Sequence, residues 1–198
     1  MLLNQAETWL MNNPLRAAMQ RYYEVPTLLR LGGSMRGGRV LEVGCGRGYG
    51  VELLLDHLGA GQVDAFDLDP AMITRARARL APRGDRVRLW TGSVTEIASG
   101  DAAYDAVMDF GIIHHVPDWR RALREVYRVL KPGGRFYVEE MFELFICNPI
   151  ARRLFDHPQQ NRFDSPRFTA GLKETGFQVM TTHPVLSLYG WFVADRPA

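Results

Sequence analysis

The sequence predicts an α/β domain: a doubly wound, mostly parallel sheet of seven strands that finishes in an antiparallel hairpin. Three observations carry this. Short apolar runs alternate with segments of helical periodicity about a dozen residues long, the pattern of right-handed crossovers between parallel strands. The first such run leads straight into a glycine-rich turn and then a helix. Near the end, Phe177 to Thr182 and Tyr189 to Ala194 are separated by too little chain for a helix, so they pair antiparallel.

Residues 1–36 read as a helical segment, with Pro14 suited to a helix start and Gly32-Gly33 ending the run. Val40-Leu41-Glu42-Val43 is the first strand and ends in Gly44-Cys45-Gly46-Arg47-Gly48. Val51, Leu54, Leu55 and Leu58 then recur at i, i+3, i+4 and i+7, which gives a helix one buried stripe. Val63 to Leu68 is the second strand, and Pro70 opens a helix carrying Met72, Ile73, Ala76 and Leu80. Val87 to Trp90 and Tyr104 to Met108 are the third and fourth strands. Leu123, Val126, Tyr127 and Leu130 repeat the helical spacing, with Pro132-Gly133-Gly134 as the stop and Arg135 to Glu139 as the fifth strand. Ser165 is the expected N-cap of the last helix, with Pro166 at its first position and Gly176 closing it.

At 198 residues the chain is one domain long. A hydrophobic share of 46% argues against intrinsic disorder. No run approaches the ~20 apolar residues of a membrane span, so stable membrane insertion is not expected. Met1 to Glu7 has neither a basic start nor an unbroken apolar stretch, so it is not read as a secretory signal. Cys45 and Cys147 offer no disulfide framework and no zinc spacing; the expectation is a cytoplasmic protein without a metal. The formal charge of +2 gives no argument for a nucleic-acid partner. Of 24 basic residues only Lys131 and Lys173 are lysines, which leaves little for lysine-based catalysis.

The glycine turn decides what the domain holds. The dinucleotide fingerprint needs a glycine at the sixth place from Gly44, and Tyr49 stands there. A phosphate-cradling loop needs Gly-Lys-Ser/Thr, and no lysine is in reach. Glu42, just before the glycines, would repel a pyrophosphate and suits a cationic centre. Asp67, at the end of the second strand, is placed to accept two ribose hydroxyls. The pocket therefore calls for a ribose, a positive charge and close backbone approach.

Five blocks together resemble the class I S-adenosylmethionine-dependent methyltransferases. They are Val40 to Gly48, Phe66-Asp67-Leu68-Asp69-Pro70, Tyr104-Asp105-Ala106-Val107, Ile112-Ile113-His114-His115-Val116 and Leu130-Lys131-Pro132-Gly133-Gly134-Arg135. The resemblance covers roughly residues 37–140 and is nearest the small-molecule branch that contains quinone-biosynthesis methyltransferases. It implies a Rossmann-like fold, S-adenosyl-L-methionine as cofactor and S-adenosyl-L-homocysteine as product. It also implies roles. Gly44, Gly46 and Gly48 would line the methionine part, with Glu42 behind them toward the ammonium group; Asp67 would hold the ribose and Leu68 would lie against adenine. Where the family places Gly-Asp after the third strand, this chain has Gly92-Ser93-Val94. Ser93 then accepts the adenine amino group without charge assistance, beside a backbone contact from Val94. Asp109 and Phe110 fall where the family meets the methionine end and opens toward the acceptor.

Methyl transfer from a sulfonium already has its leaving group, so the enzyme's work is alignment in a dry pocket. A base is needed only where the acceptor must lose a proton. His114 is the candidate, with His115 read instead as a buried structural histidine. Of Glu139 and Glu140, strand alternation points one toward the pocket. Asp105 is read as a structural strand-end carboxylate, Asp69 as a helix cap and Trp90 as core. The arginines between Arg75 and Arg88 do not share one face and read as solvated surface.

Residues 1–36 and 141–164 flank the cofactor core at 37–140, and 165–198 carry the last helix and hairpin. Trp9, Leu10, Met11, Tyr22, Tyr23, Phe142, Phe145, Ile146, Leu154 and Phe155 make both flanks aromatic-rich, which suits a lid over a small apolar or aromatic acceptor; a homodimer surface is the other use of such segments. A protein or RNA methyltransferase, or a protein that binds the cofactor without catalysis, are the alternative functions.

Overall fold

A computed structural model of the chain describes residues 13–148 and 160–198. Its sheet has seven strands in the order β3-β2-β1-β4-β5-β7-β6. These are β1 Arg39–Val43, β2 Gln62–Asp67, β3 Val87–Thr91, β4 Tyr104–Phe110, β5 Leu130–Met141, β6 Gln178–Val185 and β7 Tyr189–Asp195. The pairs among β1 to β5 are parallel, and β7 runs antiparallel to both β5 and β6. The expected α/β fold and terminal hairpin are present. What the sequence left open is that the last strand inserts between β5 and β6.

Helices cover both faces. On one side are α2 Val25–Gly32, α3 Tyr49–Asp56 and α4 Pro70–Leu80; α5 Trp119–Val129 and α7 Ser165–Thr175 pack on the other, while α1 spans Pro14–Met19 and the short α6 spans Glu143–Ile146. Strand alternation divides the core accordingly. Val40, Val63, Met108 and Tyr137 meet Leu28, Val51, Leu54 and Ile73 on the first face. Leu41, Val107, Phe136 and Phe192 meet Leu123, Val126, Phe168 and Leu172 on the second.

Two local expectations are corrected. The strand after α5 begins at Leu130 rather than Arg135, because Leu130 already pairs with Tyr104. Lys131 to Gly134 then form a break in register before Arg135 pairs with Ala106, and Gly133 adopts a φ of 76° there. The cap of α7 is Asp164, whose side chain accepts from the Arg167 N–H, not Ser165. His114 and His115 belong to a 3-10 turn, Ile113–His115, and the helix starts only at Trp119 behind its cap Asp118.

Asp69 caps α4 through the Ala71 N–H, and Asp105 accepts from the Arg39 N–H and from Lys131. The arginine run is more engaged than a solvated surface. Arg79 reaches Glu52, Arg83 makes two bonds to Asp56, and Arg86 donates to the carbonyls of Ala60 and Gly61, clasping α4 and its following turn onto α3.

Strand order reverses between β1 and β4, and the crevice at the carboxyl ends of those strands is where an open α/β sheet offers a ligand site.

Candidate functional site

A cavity of about 300 Å³ opens at that crevice. The turn after β1 forms one wall. Gly44 and Gly46 take φ of 71° and 52°, left-handed values open to glycine at no steric cost. A Cβ on Gly44 would also press to 2.6 Å from Ile112 Cγ2. The turn is tied to β2 by the Cys45 N–H on the Phe66 carbonyl at 2.9 Å and by the Gly46 N–H on Asp67 Oδ2 at 2.8 Å. Asp67 Oδ1 accepts from the Asp69 N–H at 2.9 Å, so its carboxylate is held facing the turn with lone pairs to spare.

The electrostatics are those of a cation or ammonium site. Glu42 is 2% exposed, lines the cavity, and has an Oε2 that meets no hydrogen-bond partner among the described residues. Burial, with Asp67 and Asp109 close by, holds its carboxyl well above the usual range. Asp67 is likewise raised by burial, against which the Asp69 and Gly46 N–H bonds work. Buried carboxyls facing one another without a cation are costly, and a positively charged ligand group relieves all of them.

Leu68, Met72, Gly92, Ser93, Val94 and Thr95 continue the wall on the β2 and β3 side. Ser93 Oγ lies 2.8 Å from Thr95 Oγ1 and accepts from the Thr95 N–H. Trp90 stays out of the lining and packs on Phe66 with ring centres 5.3 Å apart. The remaining wall carries Ala17 and Gln20 from the N-terminal helical segment, then Phe110, Gly111, Ile112, His115, Val116 and Pro117.

The structure thus brings Glu42, Gly44, Gly46, Asp67, Leu68, Ser93, Val94 and Phe110 to one cavity. It places three other candidate residues elsewhere. Gly48 caps α3 at a φ of 83°, where a Cβ would come to 2.7 Å from Leu80 Cδ1, so its place is helix packing. Asp109 is fully buried behind the wall. His114 is also buried, and its Nδ1 lies 2.6 Å from Glu140 Oε2. The residue on the cavity wall is His115, reversing the expected order of the two histidines. The two rings pack on each other, centres 4.1 Å apart, with His114 buried behind His115.

Neither Glu139 nor Glu140 lines the cavity; both anchor its walls. Glu140 accepts from the N–H groups of Ile113, His114 and Met141 besides His114 Nδ1, and pairs with Asp109. Burial pushes Glu140 up to about 7 and holds Asp109 well above its usual range. Glu139, raised by burial and by Glu24, accepts from Trp191 Nε1 and faces Arg16 at 3.6 Å, while Arg16 also bonds Glu24. That knot fixes the helix carrying Ala17 and Gln20 over the cavity.

Sequence reasoning missed Gly50 and Gln20. A Cβ on Gly50 would fall 2.0 Å from Glu42 Oε1, so Gly50 is what makes room for that carboxylate. Gln20 had one usable sign, its three-residue spacing from Ala17 on a helix. The parts of the flanking segments at 1–12 and 149–159, with Trp9, Leu10, Met11, Leu154 and Phe155, lie outside the described residues. Among the described residues no cluster of His, Cys, Asp and Glu is placed to hold a metal ion, and no helix is long and apolar enough to cross a membrane.

A glycine turn, an aspartate held facing it and a buried carboxylate thus meet at the switch point, where an open α/β sheet offers a ligand site. Residues 40–134 match the family model described as a methyltransferase domain. In sequence this core is similar to S-adenosylmethionine-dependent methyltransferases. A probable S-adenosylmethionine-dependent methyltransferase of Mycolicibacterium smegmatis is 39% identical over 109 residues, 55% of this chain and 40% of the relative. A ubiquinone biosynthesis O-methyltransferase of Xanthomonas axonopodis pv. citri is 38% identical over 106 residues, 53% of this chain and 44% of the relative. The chain therefore spans less than half the length of these relatives. The crystal structure of a SAM-dependent methyltransferase from Aquifex aeolicus superposes with a TM-score of 0.77 at 18% identity, over 98% of both chains, which establishes a shared Rossmann-like fold.

The residues present fit S-adenosylmethionine. Glu42 Oε2 is buried without a partner among the described residues, an acceptor that a cationic group would satisfy, and apart from its chain neighbours no described protein atom lies within 4 Å of where a Cβ of Gly46 would stand.

Proposed function

We propose that this protein is an S-adenosylmethionine-dependent methyltransferase acting on a small apolar or aromatic acceptor. The observation that carries it is the division of one cavity into two chemistries. Acidic groups and bare backbone come from Glu42, Gly44, Gly46 and Asp67, while Ala17, Phe110, Ile112, Val116 and Pro117 supply mostly carbon. When bound, S-adenosylmethionine supplies a methyl group on a sulfonium that is its own leaving group. Glu42 would hold its positive end, Asp67 its ribose, and Leu68, Ser93 and Val94 its adenine. Asp109 serves behind the wall, accepting from the Ile112 N–H at 2.8 Å to shape the floor.

The chain's own contribution is alignment and exclusion of water. Phe110, Ile112 and Val116 keep water from an acceptor, and Gln20 offers one polar contact on the helical side. An acceptor hydroxyl has to lose its proton, and His115 is the imidazole on that wall. The name of the Xanthomonas relative, an O-methyltransferase, supports oxygen as the acceptor atom.

The test is transfer of radiolabelled methyl from S-adenosylmethionine to cell extract separated into small-molecule, lipid, RNA and protein fractions. Label in the small-molecule fraction is expected. Label confined to RNA or protein overturns the acceptor class, and failure to bind S-adenosylmethionine at high micromolar concentration overturns the enzyme.

A further inference from the structure

Gln20 lines the cavity, half-buried, with an amide that the fold does not use. Its backbone N–H donates to the Ala17 and Arg16 carbonyls, and its carbonyl accepts from the Val25 N–H. Its side chain makes no hydrogen bond to any described residue. The helix therefore takes up the main chain, and what Gln20 has left to offer is an uncharged acceptor and two N–H donors. Ala17, three residues earlier on the same wall, adds only a methyl group. Gln20 also opens a single π turn, Gln20–Glu24, between α1 and α2, a local geometry that recurs at functional sites.

The order of the strands tells which end of the cavity this amide serves. The charged side chains of the lining, Glu42, Arg47, Asp67 and Asp69, come from β1, the glycine turn and the end of β2. Arg47 stands near Arg75 and Arg79 of α4. On the other side of β1 lies β4, whose end supplies Phe110 and the loop through Pro117. Gln20 belongs with β4: Arg16, one helical turn before it, faces Glu139 at 3.6 Å, and Glu139 pairs in register with Phe110. The one titratable side chain this part of the lining contributes is His115, whose use as a base requires it neutral.

A charged acceptor enclosed there would give up water with no side chain of opposite sign to receive it, a heavy desolvation penalty. An uncharged hydroxyl or carbonyl needs only a hydrogen bond in exchange, and an amide serves either as donor or as acceptor. We propose that Gln20 is a specificity residue of the acceptor site, its side-chain amide receiving a hydroxyl or carbonyl of an acceptor that carries no net charge. This rests on the methyltransferase reading and narrows it: acids, amines and phosphate esters are excluded, and neutral oxygen-bearing molecules remain.

The test uses small molecules extracted from cells into methanol and divided at pH 7 by anion and cation exchange into acidic, basic and neutral pools. Each pool is incubated with the protein and radiolabelled S-adenosylmethionine, and the wild-type protein should label the neutral one. Gln20→Met keeps the length of the side chain and loses the amide. It should need about tenfold more of the neutral pool for half-maximal rate, the effect of one hydrogen bond, with kcat less affected. Gln20→Asn, which keeps the amide on a shorter stem, should recover part of that loss. Calorimetric affinity for S-adenosylhomocysteine and the urea unfolding curve should match the wild type in both variants. Label confined to the acidic or basic pool overturns the neutral acceptor. Unchanged half-saturation in Gln20→Met overturns the role of Gln20; weakened S-adenosylhomocysteine binding would assign the residue to the cofactor, and a large loss of stability would assign it to the fold. Absence of label in all three pools instead overturns the small-molecule methyltransferase reading beneath the proposal.

Discussion

His114 Nδ1 and Glu140 Oε2 stand 2.6 Å apart with both side chains fully enclosed, Glu140 joined in turn to Asp109. Burial raises Glu140 to about 7, so between roughly pH 4.5 and 7 the unfolded chain ionises it and the folded protein does not. The folded state then binds more protons, and stability falls as pH rises through that window. Asp109, Glu42 and Glu139, all raised by burial, act in the same direction. For the cofactor-free protein, urea unfolding should show stability lower at pH 7.5 than at pH 5 by on the order of 3 kcal/mol. Glu140→Gln should flatten that slope. A stability that climbs from pH 5 to 7.5 would contradict the assignment.

Glu42 and Gly50 make a second pair. The carboxylate occupies the place of the missing Cβ, 2.0 Å from Oε1, so Gly50→Ala must push it aside without touching the ligand cavity's backbone turn. Glu42→Gln keeps the shape and removes the charge. Both variants should weaken S-adenosylmethionine binding about tenfold, read by calorimetry, since a hydrogen bond to a charged group is worth about 1.5–3 kcal/mol. An unchanged affinity in Glu42→Gln would show that the cofactor's positive end lies elsewhere.

How much of this was legible in the sequence depended on the range of the interaction. Gly44, Gly46 and Asp67 could be read because a turn and a strand end bring them together locally. The alternation of strands and helices likewise fixed the parallel core. Ranking His114 over His115 had no local basis, since what buries His114 behind its neighbour is Glu140, 26 residues away, accepting from the His114 N–H. Asp164 outcompeted Ser165 as a cap by a single position, a choice local chemistry does not make because both residue types cap well. Arg162 gave no sign at all: an arginine among 22 becomes distinctive only once its burial and its bond to the His114 carbonyl are visible.

Gly171 lets α7 approach the Trp119 ring of α5 closely. A Cβ there would lie 2.4 Å from Trp119 Cζ3, and Trp119 is enclosed by Phe163 and Phe168. Gly171→Ala should therefore cost about 1–3 kcal/mol through overpacking. For a domain of this size that lowers the melting temperature by about 2–4 °C per kcal/mol, measurable by calorimetry. A melting temperature at or above that of the wild type would mean the indole can move aside.

The two adjacent histidines should separate stability from turnover. His114 is locked beneath the wall, its ring on Glu140 and its carbonyl on Arg162. His114→Ala deletes a buried ring and its hydrogen bond to Glu140 and should cost about 2–4 kcal/mol of stability, with loss of activity that follows the loss of folded protein. His115 lines the cavity and packs its ring on His114, so His115→Ala should cost only about 1 kcal/mol of stability while lowering kcat by about 100-fold or more if the acceptor is deprotonated in the reaction. The residual rate of His115→Ala should rise with pH as the acceptor ionises without help. Stability and single-turnover rate measured on both variants decide the matter: a His114→Ala protein that is fully stable and inactive would return the catalytic role to His114.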